Sequence, residues 1–571
     1  MTLVIDNQTG YTNLSLVVET INFVPKEKMK YRFKNLIRSG ICCIWLLMSV
    51  HLWAELSPAG LFADHMVLQR DEKIPVWGTG TAGGIIFVDF CGITVKTKVA
   101  QDGNWKVLLP AVKAGGPYTL TIRENKEEVT FRNIMVGDVW YASGQSNMEH
   151  PMQGWAWLPN SAIYHYEDEI NDSDYSEIRL FTVPRYPSNE KQPDIEGKWM
   201  IPSPETLPGF SSTAWFFAKK LYSELKIPIG IINCTWSGTP IQTWMSTEAL
   251  SAAGVKTDNK KQSYPDRCEI AAILKSNKER RMLISYPKPG QTDSILKLNK
   301  EHWLTIPEIN QYNSASEISW ITKKINIPEF YAKENLILSL GFPDRQSIVY
   351  FNGHEIGNYL YPEQVFTVIP RTIIYPGENA ITIRLAKPFG KTSVHGSDSL
   401  FYLARKDTDF RYDLSGDWLA DPVPANVSLA EDDYRNRPAA LFNGMVNPVT
   451  SFNIKGIIWY QGEDDAGQAA TYKKKFESLI TDYRTKWNKP DLPFIYVQLS
   501  SYKFSHEKNY PDQWKAIREA QSITLPNTGM IVTVDIGDPY DVHPRNKKAF
   551  GERLAIEALR ISYHKNGADH D

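Results

Sequence analysis

The sequence predicts an α/β fold in which a parallel sheet is interrupted by a β-rich insert and preceded by a small β-sandwich. Strand and helix patterns alternate before residue 261 and after residue 412, which is typical of parallel-sheet proteins. Between these positions most segments have the pattern of a strand. The predicted divisions are a β-sandwich at 55–134, the two parts of the α/β domain at 135–260 and 413–571, and the insert at 261–412.

Each division is predicted from local patterns. In the sandwich, short apolar runs such as 74–78 and 104–110 are separated by Gly, Asp and Pro. The first part of the α/β domain opens with a strand at 134–144 that ends in glycine. A helix capped by Ser211 or Ser212 follows, and then a buried strand at 229–234. The second part continues with strands at 455–460, 494–499 and 530–534. It also contains two helices. One carries Tyr472, Phe476, Leu479, Tyr483 and Trp487 on one stripe, and the other carries Trp514, Ile517 and Gln521.

The insert contains the run Val349-Tyr350-Phe351-Asn352-Gly353-His354-Glu355-Ile356-Gly357 and the turn Pro376-Gly377-Glu378-Asn379. On these residues it resembles the jelly-roll sugar-binding-like domains attached to many glycosidases. The resemblance implies a fold but assigns no ligand, because one fold hosts many functions.

Composition excludes several classes of partner. The 571 residues carry a formal net charge of −2 and no long basic run, so nucleic acid and anionic membrane surfaces are poor partners. Aromatic residues are frequent, with 17 Trp, 28 Tyr and 23 Phe. That frequency is typical both of sugar-binding proteins and of large β-rich cores.

The N-terminus has the pattern of an export signal. A basic stretch at 29–34 precedes an apolar run at 41–53 and the small residue Ala54, a combination that marks secretory signals. The run is shorter than the roughly 20 residues of a membrane-spanning helix. We therefore expect 1–28 to be an upstream extension and 29–54 a signal cleaved near Ala54. The mature chain would be periplasmic or extracellular, without a membrane segment; a buried helix at 41–53 is the alternative.

Cysteine usage adds little. Cys91, Cys234 and Cys268 are the cysteines that follow the predicted signal. They are widely spaced and odd in number, so at most one disulfide can form.

Two clusters of functional residue types follow predicted strands, where parallel-sheet proteins bind their ligands. In Ser143-Gly144-Gln145-Ser146-Asn147-Met148, glycine allows a tight turn, and Ser146 is a potential nucleophile if a base takes its proton. The amides of a helix beginning there would stabilise an oxyanion. The alternative is a serine that only caps a helix. In Trp236-Ser237-Gly238-Thr239-Pro240, Gly238 allows its backbone amide to approach a ligand closely.

A third cluster, at 535–544, contains the best candidate for a base. Of the 11 histidines, His543 combines acidic neighbours with a position after a strand, and the other ten lack one or both features. Pro544 restricts its backbone to an extended conformation. An imidazole beside carboxylates suits a general base, and a structural histidine is the alternative.

A fourth cluster, Glu463-Asp464-Asp465, also follows a strand. Three successive carboxylates would line the same pocket or bind a divalent cation. No histidine pair with metal-ligand spacing accompanies them, so we expect neither a metal nor another cofactor.

Together these clusters resemble the sialate O-acetylesterase family of SGNH hydrolases. The resemblance is carried, in order, by Leu61-Phe62-Ala63-Asp64-His65-Met66-Val67-Leu68-Gln69-Arg70, Gly144-Gln145-Ser146-Asn147-Met148, Trp236-Ser237-Gly238-Thr239-Pro240, Trp459-Tyr460-Gln461-Gly462-Glu463 and Asp541-Val542-His543-Pro544. It implies an SGNH-type domain with Ser146 as nucleophile, His543 as base and Asp541 as its orienting acid. It also implies an oxyanion hole formed by the amides of Ser146 and Gly238 and the side chain of Gln461.

The sequence departs from this family in three ways. It has Ser237-Gly238 where the family usually has Gly-Gly, and Asp464-Asp465 where the family has Ser-Asn. Asp541 lies two residues before the histidine, whereas many SGNH enzymes space the acid three before it. Asp538 is therefore an alternative acid, and a Ser-His dyad is a further one. The chain also ends at Asp571, earlier than the family leads us to expect, which predicts that a C-terminal β segment is missing.

The resemblance implies hydrolysis of O-acetyl esters of sialic acid through a serine acyl-enzyme. One alternative retains this chemistry and changes the substrate to an acetylated plant polysaccharide. The other is a sugar-binding protein without catalysis, which the altered Asp464-Asp465 pair and the early end of the chain would favour.

Overall fold

The computed structural model describes the chain from residue 55 to residue 565, with short gaps. The predicted extension at 1–28 and the predicted signal at 29–54 lie outside the described residues. The described ranges are 55–257, 264–286, 300, 302–314, 316–343, 346–359, 364–387, 392–406, 410–421, 433–502, 510–539 and 541–565.

The N-terminal region is built from short strands around one long strand, β8. The first half of β8 pairs antiparallel with β7, and its second half enters a parallel sheet with β11. The predicted division between residues 134 and 135 therefore falls inside a continuous strand. The elements are β1 Ser57–Pro58, β2 Val67–Gln69, β3 Ile74–Thr79, β4 Ile85–Phe90, β5 Ile93–Lys98, β6 Asn104–Leu109, β7 Gly115–Glu124, β8 Glu127–Gly144, α1 Ser146–Glu149, α2 Tyr166–Asn171, β9 Ile178–Thr182, β10 Trp199–Met200, α3 Ser212–Leu225, β11 Ile229–Thr235 and α4 Thr247–Ala253.

The middle region consists of one long helix followed by two facing sheets. The sheets have the strand orders β12-β23-β13-β19-β16-β17 and β18-β14-β21-β22, and aliphatic and aromatic side chains form a separate core within this region. Strand β23 lies beyond the predicted end of the insert at 412. The elements are α5 Arg267–Ser285, β12 Leu304–Glu308, β13 Ile318–Ile327, β14 Leu336–Leu340, β15 Phe342–Pro343, β16 Ser347–Phe351, β17 His354–Tyr359, β18 Phe366–Ile369, β19 Gly377–Ala386, β20 Val394–His395, β21 Phe401–Arg405, β22 Arg411–Asp413 and β23 Gly416–Ala420.

The C-terminal region completes the sheet that β8 enters. The strand order is β10-β9-β11-β8-β24-β25-β26, and all neighbours from β9 to β26 are parallel. Helices α3 and α8 pack against each other. They approach so closely at Gly551 that a Cβ there would lie 2.5 Å from Cβ of Phe216, so this position requires glycine. The elements are β24 Gly456–Tyr460, α6 Ala469–Lys486, β25 Phe494–Val497, α7 Tyr510–Ala520, β26 Thr528–Ile531 and α8 Lys547–Tyr563.

The sandwich and the parallel sheet share a hydrophobic core. One cluster of buried side chains extends from Leu56 to Leu559. Phe452, from the C-terminal region, contacts Phe62 and Trp77 of the sandwich at ring-centroid distances of 6.0 and 6.4 Å. These contacts make the N-terminal strands part of the same folding unit as the parallel sheet.

The predicted elements of the α/β region are present, but two strands end early, and the one expected at 494–499 is Phe494–Val497. Ser211 is the cap of α3, because its side chain accepts a hydrogen bond from the amide of Ala214 at 3.1 Å. The strand expected at 530–534 is Thr528–Ile531. It ends early because Val532 and Val534 are exposed and the backbone turns at Val534–Ile536.

Two further features of the described residues bear on the sequence expectations. Across the ranges given above, no helix is long and apolar enough to cross a membrane. Cys91, Cys234 and Cys268 are free thiols, Cys234 buried and the other two exposed.

We expect Gly144→Ala to destabilise the protein strongly. Gly144 has a φ of 138°, and a Cβ there would lie 2.0 Å from the carbonyl oxygen of Tyr460 in the adjacent strand. Gly92 is the matched control, since its φ is 76° but nothing lies within 4 Å of its Cβ position. Thermal or urea unfolding should show a loss of about 3 kcal/mol or more for Gly144→Ala and about 1 kcal/mol for Gly92→Ala. Equal losses would contradict the role of the Tyr460 contact.

Candidate active site

The segments predicted to carry the chemistry converge at one edge of the parallel sheet. Gly144, the last residue of β8, pairs with Thr235 at the end of β11 and with Tyr460 at the end of β24. Because parallel strands end at the same edge, the residues that follow them are brought together. The segments after residues 144, 235 and 460 are those that the sequence singled out.

Ser146 is the first residue of the four-residue helix α1. The turn before it is fixed by Gly144 and by the amide of Gln145, which donates to the carbonyl of Tyr460 at 3.0 Å. The first amides of a helix have no intrahelical acceptor, so the position suits stabilisation of a negative oxygen. Ser146 is 6% exposed, which places it inside the protein but within reach of solvent.

His543 lies beside Asp541. Its Nδ1 is 3.7 Å from Oδ1 of Asp541, and its backbone amide donates to the same oxygen at 3.0 Å. Oδ1 of Asp538 accepts the amide of Asp541 at 3.2 Å, a contact that shapes the turn. The geometry therefore sets Asp541 against the imidazole and gives Asp538 a backbone partner.

Asn147 connects the serine turn to the histidine loop. Its side-chain nitrogen donates to the carbonyl of Val542 at 2.9 Å and to Oε1 of Glu463 at 2.5 Å. Its side-chain oxygen accepts from Nζ of Lys547. The carboxamide of Asn147 thus links three segments that are distant in sequence: those that contain Ser146, Gln461 and His543.

The ring of His543 packs against an aromatic wall. Its centroid is 5.0 Å from that of Trp155, which stacks on His150 at 4.5 Å. His150 is buried, and a nitrogen of its ring contacts the carbonyl oxygen of Ser161 at 2.6 Å. Burial and the positive charge of Lys547 hold the pKa of His150 well below its usual value. This second histidine is therefore neutral and serves as packing for the wall.

Glu149 connects α1 to the segment after β11. Its Oε2 accepts from both the amide and the hydroxyl of Ser237 at 2.6 Å. Its Oε1 accepts from Nε1 of Trp155 at 3.0 Å and pairs with Arg185 at 2.7 Å. Burial alone would raise the pKa of this carboxyl, but Arg185 and the donors hold it below its usual value. An ionised Glu149 thus fixes the residue next to Gly238.

This contact accounts for one departure from the family pattern. The family usually has glycine where this chain has Ser237, and here the hydroxyl is a donor to a buried carboxylate. A charge-assisted hydrogen bond of this kind is roughly twice as strong as a neutral one. Ser237 therefore reinforces the position of Gly238, whose φ is 64°.

The side-chain amide of Gln461 contacts the segments after β8 and β11, and its nitrogen already has three acceptors. Its Nε2 lies 3.2 Å from Oε1 of Gln145, 3.1 Å from the carbonyl of Thr239 and 2.6 Å from Oδ2 of Asp465. Oδ2 of Asp465 also accepts the amide of Ile241 at 2.7 Å. To donate to a substrate oxygen, the Gln461 amide would have to exchange one of these acceptors. The Asp464-Asp465 departure supplies this buried acceptor.

Three charged groups behind the site have shifted pKa values. Burial raises the pKa of Glu463 to about 7 and lowers that of Lys547 to about 7. Burial also raises the pKa of Asp465 to about 6. The sequence offered a cation site at Glu463-Asp464-Asp465 only as an alternative, and here Glu463 and Asp465 contact different partners. Within the part of the chain that the structure describes, no group of three His, Cys, Asp or Glu residues is arranged to hold a metal.

A cleft of about 520 Å³ opens beside these segments. Its lining includes Glu149, Ser237 and Gly238 and, from α5, Asn277 and Arg281. Three tryptophans, Trp155, Trp157 and Trp236, also line it. Among the residues that the structure describes, the charged side chains of the lining are one carboxylate, Glu149, and five cations: Arg185, Lys275, Lys278, Arg281 and Arg435.

The chain is similar to known carbohydrate esterases. The sequence model of a family described as carbohydrate esterase, sialic acid-specific acetylesterase, matches residues 431–560. The sialate O-acetylesterase of Rattus norvegicus is 24% identical over 543 residues, which cover 88% of this chain and 73% of that protein. The human sialate O-acetylesterase is 32% identical over 237 residues, 37% of this chain and 44% of that protein.

A solved structure agrees with the sequence comparisons. The crystal structure of a carbohydrate acetylesterase from Xanthomonas citri is 25% identical, with a TM-score of 0.56, and the match covers 90% of this chain and 76% of that one. Fold and matches together define a carbohydrate esterase, an ester hydrolase. Within that class, the chain is similar to the sialate O-acetylesterases.

Sequence reasoning found the residues that follow strands and missed those that connect them. Asn147 lies within the quoted serine motif, but nothing in the sequence indicated its contacts with Val542 and Lys547. Glu149 lies one helical turn after Ser146, and that spacing is the one local signal for its role. The α5 residues that line the cleft have no such signal, because their partners are distant in sequence.

We expect Asp541→Asn to lower kcat far more than Asp538→Asn. A carboxylate beside the imidazole fixes its tautomer and stabilises the imidazolium, and its loss in a serine protease costs on the order of 10⁴ in turnover. Aryl acetate hydrolysis by the two purified variants is the measurement. The reverse ranking would assign the role to Asp538, and small effects from both would indicate a Ser146–His543 dyad.

We also expect Glu149→Gln to lower kcat by about tenfold, since the neutral amide cannot hold Ser237 and Arg185 as the carboxylate does. Glu169→Gln is the matched control, because Glu169 likewise accepts from a tryptophan and a cation, Trp215 at 2.8 Å and Lys219 at 2.6 Å. Both variants should lose stability, and Glu149→Gln alone should lose turnover. Equal activity of the two variants would show that Glu149 only stabilises the fold.

Proposed function

We propose that this chain hydrolyses O-acetyl esters of sialic acid through a serine acyl-enzyme. Ser146 is the nucleophile, His543 the base and Asp541 the acid that orients the base. The observation that carries the proposal is the convergence of Ser146, Gly238 and His543 at one sheet edge, held by Asn147 and Glu149. The similarity of this chain to sialate O-acetylesterases also supports the proposed reaction.

The chemistry follows from these positions. Oγ of Ser146 attacks the acetyl carbonyl carbon while His543 accepts the hydroxyl proton. The tetrahedral oxyanion accepts hydrogen bonds from the amides of Ser146 and Gly238 and from the side chain of Gln461, each such donor typically contributing about 3 to 4 kcal/mol. Collapse breaks the bond between the carbonyl carbon and the sugar oxygen, and that oxygen takes the proton from His543 and leaves as a hydroxyl. Water, activated by the same imidazole, then releases acetate and restores Ser146. This sequence requires no metal or organic cofactor.

The charge of the cleft supports an acidic sugar as substrate. Among the described lining residues, cations outnumber carboxylates: Lys275, Lys278, Arg281 and Arg435 are present besides the paired Arg185 and Glu149. An ionised sugar gains from such a surface, whereas a neutral plant polysaccharide does not. The aromatic lining suits the apolar faces of a sugar ring in either case.

The finer architecture belongs to the same proposal. We assign the parallel sheet to an SGNH-type domain, with the sandwich before it and the jelly-roll insert within it. The sheet order and the separate core of the middle region support this division. Export after cleavage near Ala54 is part of the proposal and is supported by the sequence pattern alone.

We expect Ser146→Ala to abolish acetate release while retaining the fold, because the mechanism has no substitute nucleophile. The parent should release acetate from O-acetylated N-acetylneuraminic acid faster than from acetylated xylo-oligosaccharides. An organophosphorus reagent should label the parent and not the variant. Activity of the variant within about tenfold of the parent would overturn the assignment of Ser146. A preference for the xylo-oligosaccharides would overturn the assignment of the sugar.

A further inference from the structure

Lys547 is a buried cation at a position where helix stability does not account for it. It is the first residue of α8, and its exposed fraction is 0%. Burying a cation is costly, and in the first turn of a helix a cation also faces the positive end of the helix dipole. Burial lowers the pKa of this lysine to about 7, which reflects that cost. A lysine at such a place points to a role outside the helix itself.

Two aromatic rings direct the ammonium group of Lys547. Its Nζ lies 5.4 Å from the ring centroid of Tyr460 and 5.1 Å from that of Phe550. The two rings stack on each other with their centroids 5.5 Å apart. Because ring faces attract a cation, they hold the side chain on a fixed course toward its acceptor, Oδ1 of Asn147.

Lys547 determines which end of the Asn147 carboxamide faces the histidine loop. An ammonium group can only donate, so the atom of Asn147 that faces it is the oxygen. The nitrogen is then directed at the carbonyl oxygen of Val542 and at Oε1 of Glu463, at 2.9 and 2.5 Å. A reversed carboxamide would set its nitrogen against the ammonium group and its oxygen against the Val542 carbonyl, which can only accept.

The bonds of Asn147 to Lys547 and Val542 connect the helix that begins with Ser146 to the loop that carries His543. Asn147 directly follows Ser146, and Val542 directly precedes His543. Lys547 lies four residues after His543. The histidine loop is therefore bound to one carboxamide on both sides of His543. These two bonds limit how far Oγ of Ser146 and the imidazole can move apart.

We propose that Lys547 is a positioning residue that, through Asn147, holds His543 where it can take the proton of Ser146. Lys547 acts on the carboxamide and not on the substrate. This proposal rests on the proposed function, since it takes Ser146 as the nucleophile and His543 as the base. It adds the first residue of α8 to the groups on which the reaction depends.

The test is Lys547→Met, which removes the donor and leaves an unbranched side chain. With an aryl acetate as substrate, we expect kcat to fall by roughly ten- to a hundredfold with little change in KM, because a misplaced base weakens the transition state and not substrate binding. An organophosphorus reagent should still label nearly all of the variant at Ser146, with a correspondingly lower rate constant. A smaller labelled fraction that reacts at the parental rate would show that Lys547 only stabilises the fold.

Lys323→Met is the matched control. Lys323 is also a buried lysine, 8% exposed, and it donates to the carbonyl of Gly416 within the insert. Its removal should lower stability in thermal unfolding and leave kcat unchanged. Equal losses of kcat in Lys547→Met and Lys323→Met would reduce the effect to the loss of a buried cation and would overturn the proposal.

A double-mutant cycle tests whether Lys547 acts through Asn147. Asn147→Ala should lower kcat at least as much as Lys547→Met does, and the double variant should be no slower than Asn147→Ala alone. Additive losses would mean that the charge of Lys547 acts on the site independently of Asn147, which contradicts the proposal.

Asn147→Asp keeps the proposal testable if Lys547→Met does not fold. The aspartate gives Lys547 a carboxylate partner, but it cannot donate to the carbonyl of Val542. We therefore expect a folded variant with a low kcat. A parental kcat in Asn147→Asp would show that the bond to Val542 is not needed, and the positioning role would be wrong.

The site of labelling separates this proposal from the proposed function. If the reagent labels Ser146 of the parent and Lys547→Met reacts at the same rate, the positioning role is wrong and Ser146 remains the nucleophile. If the parent is not labelled at Ser146, the proposed mechanism is wrong and the positioning role fails with it. An aryl acetate contains no sugar, so an error in the proposed sugar would leave both results unchanged.

Discussion

The arrangement of the site depends on the side chains of the four-residue helix after β8. A strand edge brings backbone segments together but does not fix side chains that come from loops tens to hundreds of residues apart. Asn147 supplies that constraint toward Val542 and Lys547, and Glu149 supplies it toward Ser237 and Trp155. Asn147 and Glu149 both follow Ser146 within the same short helix. Ser146 is therefore positioned relative to the histidine loop and to the Gly238 loop.

Burial strengthens these hydrogen bonds and also determines which of the groups that form them remain charged. Glu149 remains ionised because Arg185, Ser237 and Trp155 all face it. Glu463 and Lys547, by contrast, meet through the neutral amide of Asn147, and burial brings both pKa values to about 7. A carboxamide at this position accepts from Lys547 and donates to Oε1 of Glu463, so it links the two groups. An aspartate in place of Asn147 would be unable to donate to Glu463 or to Val542.

The sequence predicted what depends on local pattern. Ser146, Gly238, Gln461 and His543 each follow a strand, and parallel strands that end at one edge bring such residues together. The choice between Asp541 and Asp538 was open, because spacing in the sequence does not say which carboxylate faces the imidazole; the 3.7 Å distance favours Asp541.

The connecting contacts could not have been predicted in this way. Ser237 and Glu149 are separated by 88 residues and Asn147 and Val542 by 395, so their pairing follows from the fold. The shared core of sandwich and sheet was also missed, because Phe452 and its partners Phe62 and Trp77 belong to segments that look independent in sequence.

Helix α5 shows why a chain divided by an insert can still behave as one site. Near the C-terminal end of this helix, Met282 packs on the tryptophan segment at 155–158 and Ile284 packs on the insert. A helix held in this way transmits the position of the insert to the cleft. Changes in the packing between Ile284 and the insert would therefore shift the α5 residues that line the cleft, while Ser146, His543 and Gly238 would not be changed.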